Sequence, residues 1–140
     1  MATLASSPAA STPAHVWLGR ILSALFVLFM LGASIAPKLL GMPVAAETIE
    51  ALGWSADYVL MIGLLELAFV LLYLFPRTSV LGAVLMTGLI GGAIATHIRV
   101  GSPLFSHILF GVYLALFMWG GLWLRSPALR AVFPLRAGED

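Results

Sequence analysis

One acid stands inside an apolar run. The stretch YVLMIGLLELAFVLLYLF, residues 58–75, has the length and character of a membrane-spanning helix, with Glu66 in its middle. An ionised carboxylate cannot stably face lipid, so Glu66 is expected to point into the protein, protonated or paired with a cation. Four other ionisable residues fall at a similar depth. Lys38 follows the first apolar run, His97 closes the third, Arg99 lies in the link after it, and His107 is one turn into the fourth. Glu66 is eight residues into its run, about 12 Å along a helix axis. The five groups therefore concentrate in the half of the chain's bundle that lies away from its termini. A histidine and a carboxylate together supply hydrogen bonds and protons, which the carbonyls of a membrane quinone need for binding and reduction. Phe105, Phe110 and Tyr113 offer aromatic walls. Taken singly, each residue has a plainer reading: Glu66 as a polar lock between helices, His97 and His107 as helix-end residues, Lys38 and Arg99 as topology determinants. The concentration is what points to a site.

Several chemistries are excluded or unsupported. The chain has no cysteine, which removes disulfides, thiolate catalysis, iron–sulfur clusters and cysteine-based zinc sites. Any redox role would need a borrowed cofactor; none is firmly implied, and a quinone is one whose chemistry the residues fit. No H-x-x-x-H or H-E-x-x-H spacing places ligands on one helical face, so no metal site is expected. No nucleophile–base pair, phosphate loop or nucleotide fingerprint is present. With a net charge of +1 and basic residues scattered singly, nucleic acid is not an expected partner.

The elements that must position these residues follow from hydropathy. Hydrophobic residues make up 61% of the 140 and charged ones 9%, against about 25% charged in soluble domains, so the lipid bilayer is the solvent. Four apolar runs give helices at about residues 17–40, 58–75, 78–97 and 104–124. The fold class expected is all-α, a bundle of four transmembrane helices. One membrane domain spans residues 15–136, between a disordered tail at 1–14 and a short tail at 137–140. The links at residues 76–78 and 98–103 are short, which makes the second, third and fourth helices successive antiparallel neighbours. Pro37 is expected to kink or end the first helix near Ala36. VAAETIEALGW after it fits either a short helix at the membrane surface or an irregular loop. Arg20, Arg77, Arg125, Arg130 and Arg136 lie on the side of the termini, against Lys38 and Arg99 opposite, which predicts cytoplasmic N- and C-termini. Trp17, Trp119, Trp123 and Trp54 are candidate interfacial anchors.

Helical arithmetic sets the faces. Gly63, Glu66, Val70 and Tyr73 share one side of the second helix. On the third, Ser79, Ala83, Thr87, Gly91 and Ala95 recur every fourth residue, and Gly88 and Gly92 form G-x-x-x-G. Gly88, Gly91 and Gly92 are thus expected to pack this helix within the bundle, with an outward interaction face as the alternative.

RILSALFVLFMLGASIAPKLLG, the Glu of the second helix, PRTSVLGAVLMTGLIGGAIATHIRVGSPLFSH and LWLRSPALRAVFP together resemble the DoxX-like family of small bacterial membrane proteins, from about Trp17 to Arg136. The resemblance implies a four-helix bundle in the bacterial inner membrane. The wider superfamily takes its name from a subunit of a thiosulfate:quinone oxidoreductase, and some members are linked to membrane oxidoreductase complexes. It carries over Lys38, Glu66, His97, Arg99 and His107 as family-typical positions. The leading expectation is an accessory or redox-linked membrane subunit whose polar pocket takes a quinone or other small lipid-soluble ligand, in company with other membrane subunits. A structural or assembly partner of a larger complex, and a small-molecule or proton carrier using Glu66, are the alternatives.

Overall fold

A computed structural model describes residues 12–134. Most of the expected N-terminal tail, the expected tail at 137–140 and Arg136 lie outside them. All regular structure among the described residues is helical. Helix α1 runs Ala14–Leu39, α2 Pro43–Ala51, α3 Val59–Leu74 behind a 3₁₀ turn at Ala56–Tyr58, α4 Ser79–Arg99, α5 Leu104–Arg125 and α6 Pro127–Val132. Four of them, α1, α3, α4 and α5, are long and apolar enough to cross a membrane. The two ends of the described residues share one end of the bundle. The short helix α2 caps the other, so the sequence between the first two spans is a helix rather than a loop.

The packing is inside-out relative to a soluble bundle. Large apolar side chains such as Leu28, Leu64, Leu71, Leu81 and Leu116 point outward, where lipid covers them. The interior is thin and apolar, built on Phe26, Met30, Val70, Tyr73, Met86 and Met118. Each of α1, α3, α4 and α5 packs on two others, α1 most extensively on α5 and, through its last turns, on α3.

Glycines decide how close the helices come. A Cβ on Gly121 would lie 2.6 Å from the Ser23 hydroxyl and 2.9 Å from the Gly19 carbonyl oxygen, so α1 and α5 touch backbone to backbone. A Cβ on Gly82 would lie 2.8 Å from the Phe69 carbonyl oxygen, which brings α4 onto α3. Gly88, Gly91 and Gly92 correct the expectation drawn from spacing. They face outward, and a Cβ added to any of the three would meet nothing within 4 Å. A row taken every fourth residue drifts about 40° per step around a helix of 3.6 residues per turn, so from Ser79 to Ala95 it crosses from the buried side to the open one. The buried row of α4 is Ser79, Gly82, Ala83, Met86 and Ile90.

Pro37 neither ends α1 nor breaks it. A π turn at Met30–Ile35 precedes it, with the Ala36 N–H bonded to the Leu31 carbonyl five residues back, and the helix continues to Leu39. The wider turn accommodates the proline ring, which an α-helical Ala33 carbonyl would meet. A second π turn, Leu104–Ile108, opens α5.

Substituting glycines on the two sides of α4 separates the packing faces. Gly82→Ala is expected to cost about 2 kcal/mol through overpacking. Gly92→Ala is expected to be neutral or to stabilise by up to about 1 kcal/mol through helix propensity. Thermal unfolding in detergent reads both, and equal losses would contradict the assigned faces.

Candidate functional site

Glu66 is 7% exposed and faces α1, on the same side of α3 as Gly63, Val70 and Tyr73. The four residues grouped by helical arithmetic are all buried. A Cβ on Gly63 would lie 2.9 Å from the Lys38 Cβ, so this glycine lets the end of α1 close onto α3 one turn from Glu66. Lys38 Nζ then reaches the carboxylate at 3.0 Å, the one ion pair among the described residues.

Ser34 completes the unit. Its hydroxyl donates to the Glu66 carboxylate at 3.1 Å and accepts from Lys38 Nζ at 2.7 Å. The ammonium also donates to the Ser34 backbone carbonyl at 3.0 Å. Three acceptors surround three ammonium protons, so the charge is fully bonded. Ser34 lies in the π turn and Lys38 four residues on, one turn above it. Each charge is neutralised and hydrogen-bonded in place, as low dielectric demands. Sequence reasoning did not single out Ser34, because a serine in an apolar run gives no sign of its partner.

The histidines form a second set, between α4 and α5. Their ring centroids are 5.5 Å apart at an interplanar angle of 60°. His97 Nδ1 pairs with the Ser102 hydroxyl at 2.9 Å, and His107 Nδ1 with the Ser106 hydroxyl at 2.8 Å. Ser102 is placed by the end of α4. Gly101, at φ +70°, ends the helix in a left-handed turn whose Ser102 N–H returns to the His97 carbonyl at 3.0 Å.

Arg99 does a third thing. Its Nη2 donates to the Leu52 carbonyl at 2.6 Å, at the C-terminal end of α2. A guanidinium there satisfies a free carbonyl and opposes the helix dipole. Gly53, at φ +80°, turns the chain beneath it. The five expected residues thus occupy one end of the bundle but fall into three sets: Lys38 with Glu66, His97 with His107, and Arg99 with α2. No hydrogen bond or ion pair among the described residues joins the sets.

The opposite end holds a polar chain that sequence reasoning missed. Arg125 Nε donates to the Ser23 hydroxyl at 3.1 Å, Ser23 pairs with the Tyr73 hydroxyl at 2.9 Å, and Tyr73 donates to the Met118 carbonyl at 2.8 Å. Since Tyr73 spends its proton on Met118, Ser23 donates to Tyr73. The Arg125 guanidinium also lies 5.2 Å over the Tyr73 ring. The available signal was Tyr73 itself, two turns from Glu66 on the same face.

Breaking the ion pair one side at a time should be costly and breaking both sides less so. Lys38→Met or Glu66→Leu is expected to destabilise by about 3 kcal/mol, because each strands a buried polar partner. The double variant Lys38→Met/Glu66→Leu is expected to regain most of that loss. Chemical or thermal unfolding of the four proteins gives the coupling, and strictly additive losses would mean that the two side chains do not interact.

The family model of the DoxX-like family matches residues 21–121, which includes both π turns and all five candidate residues. No curated protein and no solved structure matches the chain. With four apolar helices long enough to span a bilayer and a family model covering most of its length, this chain is a membrane protein belonging to the DoxX-like family.

Proposed function

We propose that this protein is an accessory, redox-linked subunit of the bacterial inner membrane that holds a small lipid-soluble molecule at the end of the bundle capped by α2. A quinone is the ligand class that fits. The observation that carries this reading is a shallow groove beside Lys38. Leu39, Met42, Ala46 and Asp57 line it, between α2 and the facing ends of α1 and α3. A second groove shares Asp57 and Leu60 with it and follows Met61, Leu64 and Leu65 along the lipid side of α3. A polar ring would lie beside the Lys38 ammonium, and an apolar tail would follow the leucines into lipid. Glu66 and Ser34 hold the Lys38 ammonium in place without help from the ligand, so the ring would lie against a fixed, already neutralised ion pair. The histidines line neither groove, and the proposal does not use them. The arginine bias of the sequence supports cytoplasmic termini, which would set the groove in the outer leaflet.

A second reading, a structural partner of a larger membrane complex, draws on the open face of Gly88, Gly91 and Gly92. A carrier using Glu66 as its proton site gains no support, since Lys38 and Ser34 already engage that carboxylate.

Gentle purification followed by solvent extraction and mass spectrometry tests the main reading. Wild type is expected to retain quinone above the level of bulk lipid. Ala46→Phe, which fills the groove without touching the ion pair, is expected to lose it about tenfold or more, and Gly92→Ala to keep it. No enrichment in wild type, or equal retention in Ala46→Phe, would sink the proposal. A C-terminal reporter active only in the periplasm would overturn the orientation.

A further inference from the structure

The histidine pair has geometry that neither the groove nor the bundle packing requires. We propose that His97 and His107 form an open two-histidine site for a borderline divalent transition-metal ion, of the Zn2+ or Cu2+ class, at the α2-capped end of the protein. The rings come from different spans, yet stand 5.5 Å apart between centroids. A metal–nitrogen bond of about 2.0–2.1 Å added to a ring radius of about 1.1 Å puts each centroid about 3.2 Å from a shared ion. At a tetrahedral angle the two centroids would then be about 5.2 Å apart, close to the separation present.

Hydrogen-bond partners that would orient the two rings are in place as well. Each Nδ1 is tied to a serine hydroxyl, His97 to Ser102 and His107 to Ser106. A serine oxygen can accept from Nδ1–H. That tautomer leaves the Nε2 lone pair free to ligate and holds the ring against rotation, as the outer partners of metal-bound histidines do. Neither Nε2 has a protein partner among the described residues. The Ser102 backbone is itself pinned to the His97 carbonyl, so this half of the pair is held on both sides. His107 is exposed, which gives an ion a route from the aqueous phase. No third histidine or carboxylate joins the two among the described residues. Water or an exogenous ligand would therefore fill the remaining positions, and the site is of the open rather than the structural kind.

Metal titration tests this directly, with protein purified through a histidine-free tag. The chain has three histidines, so His15→Ala is the internal control. Equilibrium dialysis is expected to give one Zn2+ per wild-type chain. His97→Ala and His107→Asn are each expected to weaken binding about tenfold or more, with His15→Ala unchanged. Cu2+ loaded in place of Zn2+ should show two equatorial nitrogens by electron paramagnetic resonance in wild type and one in His107→Asn. Circular dichroism confirms that His107→Asn, at an exposed position, keeps its helices. Zn2+ binding that is no tighter in wild type than in a His97→Ala/His107→Asn double variant, or that falls equally with His15→Ala, would overturn the site. Neither result bears on quinone retention, so the two proposals fail separately.

Discussion

A carboxylate held in low dielectric must be met by a partner, and the α2-capped half of this bundle is organised around meeting Glu66. The partner cannot come from α3 itself, whose sides around Glu66 are apolar. It comes from Lys38, at the far end of α1. Three features make that reach possible. Gly63 removes the side chain that would hold the helices apart. The π turn carries α1 through Pro37 instead of ending it. Ser34, inside that turn, bridges the two charges and takes up the remaining ammonium proton. Such a pair adds little net stability over a well-packed apolar contact. What it fixes is rotation. Helices that are apolar on all sides slide and turn on one another at small cost, and a bonded ion pair permits a single register.

The same logic holds at the other end. Membrane helices gain no hydrophobic driving force from meeting each other, because lipid is as apolar as leucine. Contact must come from close backbone approach, as at Gly19 and Gly121, and from polar links. The chain from Arg125 through Ser23 and Tyr73 to Met118 joins α1, α3 and α5 in one directional sequence of donors. Between the two polar levels the interior is apolar, built on Met30, Val70, Met86 and Met118. Both levels lie on one face of α3: Glu66 sets its rotation at one height and Tyr73 at another, two turns apart. A helix bonded at two heights resists tilt as well as rotation.

How much of this was legible follows from what each signal depends on. The four spans depend on composition alone, and the sequence showed them. The buried side of α3 depends on a regular 3.6-residue period with one polar residue to orient it, and Gly63, Glu66, Val70 and Tyr73 are all buried as expected. On α4 no charged residue marks the inner side, the buried Ser79 lies only at its first turn, and small residues lie all round. A four-residue stripe there drifted to the outside, while Gly82, outside the stripe, makes the close contact. The partners of Glu66 were less legible still. A π turn inserts one residue and rotates everything beyond it by about 100°, so faces extrapolated along α1 fail past Met30. Ser23 and Ser34 look alike in the sequence, and only the fold gives each a charged neighbour.

The two π turns differ in cause, and the difference bears on what the protein retains. The first lies just before Pro37, whose ring and missing N–H an unbroken α-helix does not accommodate, so the turn is a local solution to a proline inside a span. The second begins after Pro103, which sits at the cap of α5, where its N–H would have no partner in any case. No proline inside that helix calls for a wider turn. π turns are rare, and they gather at functional positions. His107 lies in this one, with Ser106 beside it and the His97 ring 5.5 Å away. The distortion has no proline inside α5 to relieve, and it sets the rotation at which His107 stands beside His97.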